Sequence, residues 1–171
     1  MRESKWDMKE WKSLVRRLSS LSQQQIEWGF FGNIRYPDDY PERETRGLPV
    51  SLVATINEYG SGKTPSRPFM RINAEGLEQD REAVERHAVP ILHNIIKRMP
   101  YRGKMYDYSV YLAQALKRDI DDYPMTATAP FPSNAPMWAK IKGKNKPLDY
   151  TRFMMNSIEK RVVSKGTGEE V

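Results

Sequence analysis

Residues 54–72 read ATINEYGSGKTPSRPFMRI, and the fold class turns on how this stretch is parsed. Leu52, Val53, Ile56 and Tyr59 recur at helical spacing, and Pro49 suits the first turn of that helix. Gly60 falls where a left-handed terminating residue is wanted. Pro65 and Pro68 then bracket Ser66 and Arg67. Each proline biases its predecessor toward extended geometry, so Thr64 to Phe69 is expected to be stiff and non-helical. An apolar patch of Phe69, Met70 and Ile72 leads into a long helix expected to begin at Asn73 or Ala74.

Within this stretch Gly60-Ser61-Gly62-Lys63-Thr64 looks like part of a phosphate loop. That motif needs Gly-x-x-x-x-Gly-Lys-Ser/Thr between a strand and a helix. Counting back from Gly62, the first required glycine is Asn57. The preceding segment reads as helix, and Pro65 follows Thr64 directly. The reading is therefore a loop with one exposed lysine, and no nucleotide cofactor is expected.

Upstream, Ser4 to Leu21 forms an amphipathic helix in which Trp11, Leu14, Val15, Leu18 and Leu21 recur at helical spacing. Ser4 would cap it, with the Asp7 charge favouring its N-terminus. It reads either as a helix docked on the domain's own sheet or as an arm that packs on a neighbouring subunit. Gln25 to Phe31 alternates, with Ile26, Trp28 and Phe30 on one face, as in a half-buried strand. Asn33 to Leu48 is interrupted by Pro37, Pro41, Asp38 and Asp39, which marks a long loop or an extended hairpin tip.

Downstream, Leu77, Val84, His87, Ala88, Ile91, Leu92, Ile95 and Ile96 trace an apolar stripe to Met99. Pro90 lies inside it, so a kink or break is expected near Val89. Pro100 and Gly103 end the run, and Lys104 to Asp121 gives a second helix that completes a helical hairpin. Residues 123–136 are proline-rich and irregular, and 135–142 fit a short helical piece. Thr151 to Ile158 fits a short helix, and Glu159 to Ser164 a final strand. The order implies an α+β domain, a small mainly antiparallel sheet packed with several helices, rather than a doubly wound parallel sheet. The expected division is an N-terminal helix or arm over 1–22, a domain over 23–164 and a flexible tail over 165–171.

The chain has 171 residues, the size of one domain. It has no cysteine, which excludes thiol chemistry and thiolate metal sites. No apolar run approaches the roughly 20 residues needed to cross a bilayer, so a soluble protein is expected. Net charge is +6, which favours acidic surfaces or nucleic acid as partners. Nine methionines and four tryptophans supply side chains common in interfaces as well as cores.

Catalytic groupings are absent from the pattern. His87 and His93 are six apart, a net rotation of about 240° on a helix, so they share no face. Asp38-Asp39 and Asp121-Asp122 sit beside prolines or Tyr-Pro with no histidine or nucleophile to pair with. Ser13, Ser51 and Ser157 lack the glycine-flanked elbow of a hydrolase nucleophile. No enzyme activity, metal or cofactor is expected. Lys140, Lys142, Lys144 and Lys146 alternate along a loop flanked by Trp138 and Tyr150. They would form a solvated loop, track a phosphate backbone, or meet an acidic protein surface.

Two stretches together resemble the tail-completion (neck, or head–tail joining) proteins of long-tailed bacteriophages. The first is Asn57-Glu58-Tyr59-Gly60, a polar loop, then Pro65-Ser66-Arg67-Pro68-Phe69-Met70-Arg71. In that family an Asn/His-Glu-Tyr/Phe-Gly helix end precedes a Pro-x-Arg-Pro-Phe turn. The second is Pro132-Ser133-Asn134-Ala135-Pro136, then Lys142-Gly143, Lys146-Pro147-Leu148, Thr151, Met154 and Ser157-Ile158. It is similar to the family's Asn-Ala-Pro, Lys-Gly loop and Pro-Leu-x-Asp-Thr-Gly-x-Met-x-x-Ser-Ile. The departure is Tyr150-Thr151-Arg152 where the family has Asp-Thr-Gly. A second departure is the Tyr-, Pro- and charge-rich loop 33–48.

The resemblance implies a non-enzymatic virion protein of the neck or tail top, assembled in the host cytoplasm. It would form a homo-oligomeric ring, commonly of six subunits, between portal or adaptor and tail proteins, and let DNA pass. Under it, Trp11, Tyr36, Tyr40, Arg67, Phe69 and Trp138 are expected at subunit or partner interfaces. Lys140, Lys142, Lys144 and Lys146 are expected to face DNA. The alternative is a nucleic-acid-binding module that uses the lysine-rich loop 140–146.

Overall fold

Asp7 opens the first helix. In the computed structural model, which describes residues 7–62, 64–122 and 152–170, its carboxylate accepts from the amides of Lys9 and Glu10. This caps α1, Met8–Ser22. The helix thus starts later than expected, because Asp7 supplies the cap; Ser4 lies outside the described residues. Strand β1 is Gln24–Gly29 and a single 3₁₀ turn occupies Arg43–Thr45. Helices follow at α2, Val50–Tyr59, α3, Phe69–Gln79, α4, Arg81–Ile96, and α5, Arg102–Asp122. A one-turn helix α6, Phe153–Asn156, precedes β2, Glu159–Ser164. Among the described residues the chain is α+β, with six helices and one two-stranded antiparallel sheet, β1 beside β2.

The described residues divide into two compact units. The first draws on Met1–Glu27, Asp80–Val110 and Lys160–Val171. Ile91, Ile95, Met105 and Val162 form its buried cluster, with Leu14, Leu21, Ile26, Tyr101 and Tyr108 packed around it. Helix α4 runs through Pro90 from Arg81 to Ile96, so the chain does not break near Val89. A helix-interior proline costs about 3 kcal/mol, and burial of Ala83, Ile91 and Ile95 on α4 opposes that cost. The chain breaks instead at Asp80, whose carboxylate accepts from the Ala83 amide at 3.0 Å and starts α4 afresh. After β2 the chain turns back, with the Ser164 amide donating to the Glu169 carbonyl and an antiparallel bridge between Val163 and Glu170.

Helix α4 ends in a reversal that normally uses glycine. The Arg98 amide donates to the Ile95 carbonyl and the Met99 amide to the Asn94 carbonyl, the bond pattern of a Schellman motif. Arg98 occupies its left-handed position at φ 58°. A side chain there costs about 1–2 kcal/mol. The ion pair of Arg98 with Glu10 at 2.9 Å joins two exposed side chains, and such a pair contributes about 0–1 kcal/mol. The pair does not offset the backbone cost.

The second unit draws on Trp28–Gln79 and Tyr111–Glu159. Its buried cluster includes Val50 and Ala54 of α2, Phe69 of α3, Leu116 and Ile120 of α5, and Met154 and Ile158. The Pro/Asp-rich stretch before α2 is a closed loop held by backbone bonds. Tyr36 N donates to Leu48 O, Gly47 N to Tyr36 O and Val50 N to Ile34 O. Those bonds turn Tyr36 and Tyr40 inward, where they and Phe153 pack edge-on or tilted with ring centroids 4.7–6.0 Å apart.

Across the sheet, Arg161 Nη2 lies 2.7 Å from Glu27 Oε2. The Arg161 hydrogen bond holds the Glu27 carboxyl below its ordinary value of 4.5, against the smaller opposing effect of desolvation. A depressed carboxylate pKa gives stability that is present above the unfolded value and lost as pH falls through the folded one. Denaturant titrations between pH 7 and pH 3 should show Glu27→Gln with a shallower acid loss than the native chain. The difference should be below about 1 kcal/mol, since the pair is partly exposed.

Candidate functional site

The joint between α2 and α3 is organised by one buried carboxylate. Glu58, in the last turn of α2, is only 7% exposed. Its Oε2 accepts from the Met70 amide at 2.8 Å and its Oε1 from the Arg71 amide at 3.1 Å. A helix leaves its first four amides without intrahelical partners and carries partial positive charge at that end. Glu58 therefore caps α3 from the preceding helix. This is why α3 begins at Phe69 rather than at the expected Asn73 or Ala74.

The connection is bonded residue by residue. The Gly60 amide donates to Ile56 O as α2 ends. Gly60 adopts φ 78°, ψ 156°, a region essentially restricted to glycine, and an added Cβ would lie 2.9 Å from the Ser66 amide nitrogen. Ser61 and Thr64 exchange both backbone bonds across a tight turn. Ser66 Oγ donates to Glu58 O, and the Arg67 amide donates to Asn57 O at 2.6 Å. Arg67 Nη1 donates to Asn57 Oδ1 at 3.3 Å, and Asn57 Nδ2 donates back to Val53 O. Arg67 is 6% exposed, and burial lowers its pKa below the ordinary arginine value. The phosphate-loop look-alike is thus a closed turn, and the α3 amides that an anion would need are taken by Glu58. Lys63 lies outside the described residues.

A second polar group is buried nearby in the same unit. Asn73 of α3 accepts from Trp28 Nε1 at 3.2 Å and donates to Asp119 Oδ2 at 2.6 Å. Phe69 meets Phe30 edge-on with centroids 6.0 Å apart. These contacts tie α3 to Trp28 and Phe30, and to the second half of α5.

At the other quoted stretch, Arg152 takes the left-handed conformation at φ 60°, ψ 8° and opens α6. Its guanidinium donates to Asp121 Oδ1 at 3.2 Å. Met154, Ser157 and Ile158 are buried, and Ser157 Oγ donates to Phe153 O. Met154 and Ile158 belong to the same buried cluster as Phe69.

Four of the expected interface residues are interior. Tyr36, Tyr40, Arg67 and Phe69 are all less than a tenth exposed, so they have no side-chain surface to offer a partner. Their chemistry is spent on the core and on the joint. Trp11 is 48% exposed on α1. Trp138, Lys140, Lys142, Lys144 and Lys146 lie outside the described residues, as does most of the second stretch before Arg152. The helix expected to dock on the domain or serve as an arm carries an exposed apolar row. Met8, Trp11, Val15 and Leu18 are exposed, while Leu14 and Leu21 face the core of the first unit. The helix carries apolar residues on two sides, which helical spacing alone did not separate.

Among the described residues no group of three or more His, Asp or Glu side chains is placed to hold a metal ion, and no helix is long and apolar enough to cross a membrane. His87 stacks on Tyr108 with centroids 5.1 Å apart. No model of a known protein family, no curated protein and no solved structure matches the chain.

Replacing Glu58 tests the joint. Glu58→Ala removes both acceptors from buried α3 amides and should destabilise the protein by about 2 kcal/mol. Glu58→Gln, which keeps one neutral acceptor, should lose less. Hydrogen exchange should quicken first at the Met70 and Arg71 amides; unchanged protection there would remove Glu58 from the role of cap.

Proposed function

We propose that this protein is a structural subunit of a bacteriophage neck or tail top. It assembles as a homo-oligomeric ring that joins the portal or adaptor complex to the tail and lets DNA pass. The observation that carries this reading is the convergence of the two resembling stretches. Phe69 of the first and Met154 and Ile158 of the second, far apart in sequence, share one buried cluster. Their motif residues also have defined tasks. Glu58 caps α3, Gly60 makes a turn only glycine tolerates, and Arg67 is buried against Asn57. Arg152 stands where the family pattern has glycine, and it adopts the left-handed conformation that glycine favours.

The exposed row Met8, Trp11, Val15 and Leu18 supports assembly, because contiguous exposed apolar surface marks interaction sites. Subunits in a ring make head-to-tail contacts that close by rotation, and a row on one helix provides one half of such a contact. In the loop 33–48 the partner-facing residues are its exposed ones, Asp38, Asp39, Arg43 and Glu44, rather than the inward tyrosines. The lysines of 140–146 would line the passage for DNA, where contact with phosphates carries no sequence preference.

Light scattering should give a mass several-fold above the 19.9 kDa of one chain, alone or with purified portal and tail proteins. Negative-stain images should show rings. Trp11→Glu, at a site 48% exposed, should return the protein to monomer mass. A chain that stays monomeric with all those partners would overturn the reading.

A further inference from the structure

We infer that the first unit binds an organic carboxylate with an apolar body, in a cleft between α1 and the turn that follows α4. The cleft has a volume of about 440 Å³, within the range of small-molecule sites. Ile95, Met99 and Pro100 give it an apolar wall. Ser13, Arg17, Arg98, Tyr101 and Arg102 complete the lining. No aspartate or glutamate is among the lining residues; Glu10 pairs with Arg98 of that lining. The positive charge of the lining residues selects an anion, and the wall selects an apolar remainder. This inference is independent of the proposed neck function.

The donors differ in what else they do. Arg17 is committed to the fold: its Nε donates to Ser13 O and its Nη1 to Ile95 O. The Tyr101 hydroxyl oxygen accepts from Gln24 Nε2 at 3.3 Å, which leaves its own proton to donate. Arg102 opens α5, is exposed, and makes no ion pair among the described residues. Arg98 is held at the mouth by the left-handed turn. Glycine would be favoured there, and the exposed pair with Glu10 does not repay the arginine. A guanidinium kept at a glycine position beside a cleft lined by three arginines is accounted for by an anionic ligand. The ligand's carboxylate would displace Glu10 from Arg98, since an exposed pair is weak.

Arg98→Gly makes the test independent of folding, because the backbone there already suits glycine. Calorimetric titration of the full chain would use decanoate below its micellar concentration. Acetate serves as the head group alone, and decyltrimethylammonium as the same chain with the opposite charge. Decanoate should bind saturably at one site, while acetate and the cation should not. Arg98→Gly and Arg102→Ala should each weaken decanoate by roughly fivefold or more, with the melting temperature of Arg98→Gly equal to or above that of the native chain. Glu10→Gln should tighten binding. Absence of saturable decanoate binding, equal binding by the cation, unchanged affinity in both arginine variants, or weaker binding by Glu10→Gln would each overturn the inference.

Discussion

The contact between the Glu58 carboxylate and the first amides of α3 is the constraint on which the second unit depends. It joins two problems in one solution. A carboxylate in the interior is costly unless hydrogen-bonded, and a helix start in the interior leaves unpaired amides. Setting each against the other removes both costs and fixes where α3 begins. The start of α3 in turn places Phe69 in the core, and Asn73 between Trp28 and Asp119.

The residues around that contact follow from it. Gly60 must reverse the chain within van der Waals reach of Ser66, and an added Cβ would collide with the backbone. Ser66 and Arg67 return bonds to Glu58 and Asn57, so the turn is stapled to the end of the helix it leaves. Pro65 and Pro68 need no amide partner, and they sit at two of the few positions where a donor is not used. A joint bonded this densely suits a protein whose proposed task is to hold a fixed geometry under load rather than to turn over a substrate.

Local signals were legible in the sequence and non-local ones were not. Pro49 and Gly60 marked the ends of α2 because proline and glycine act on their own backbone. Spacing places the start of α3 at Asn73 or Ala74, too late, because its cap comes from Glu58, on another helix, and no spacing rule connects them. Pro90 predicts a kink or a break because its local cost is real; α4 nonetheless continues through it, with Ile91 and Ile95 buried. Prolines and aspartates around Tyr36 and Tyr40 mark a loop, and the resemblance points both rings toward a partner. The backbone bonds from Ile34 to Val50, which turn both rings inward, link residues too distant to be read together. The buried Asn73 and the arginine in the turn after α4 had no sequence signal, since each is defined by geometry supplied from elsewhere.

The account joins a bonded core motif to a role in connecting two large assemblies, and a genetic measurement tests that link most directly. If the proposed role holds, deleting the reading frame from the genome that carries it would alter the particles released on induction, as counted by electron microscopy. The account predicts DNA-filled heads and finished tails that remain apart, and their joining when the purified native protein is added to the lysate. Complete, infectious particles from the deletion would contradict it.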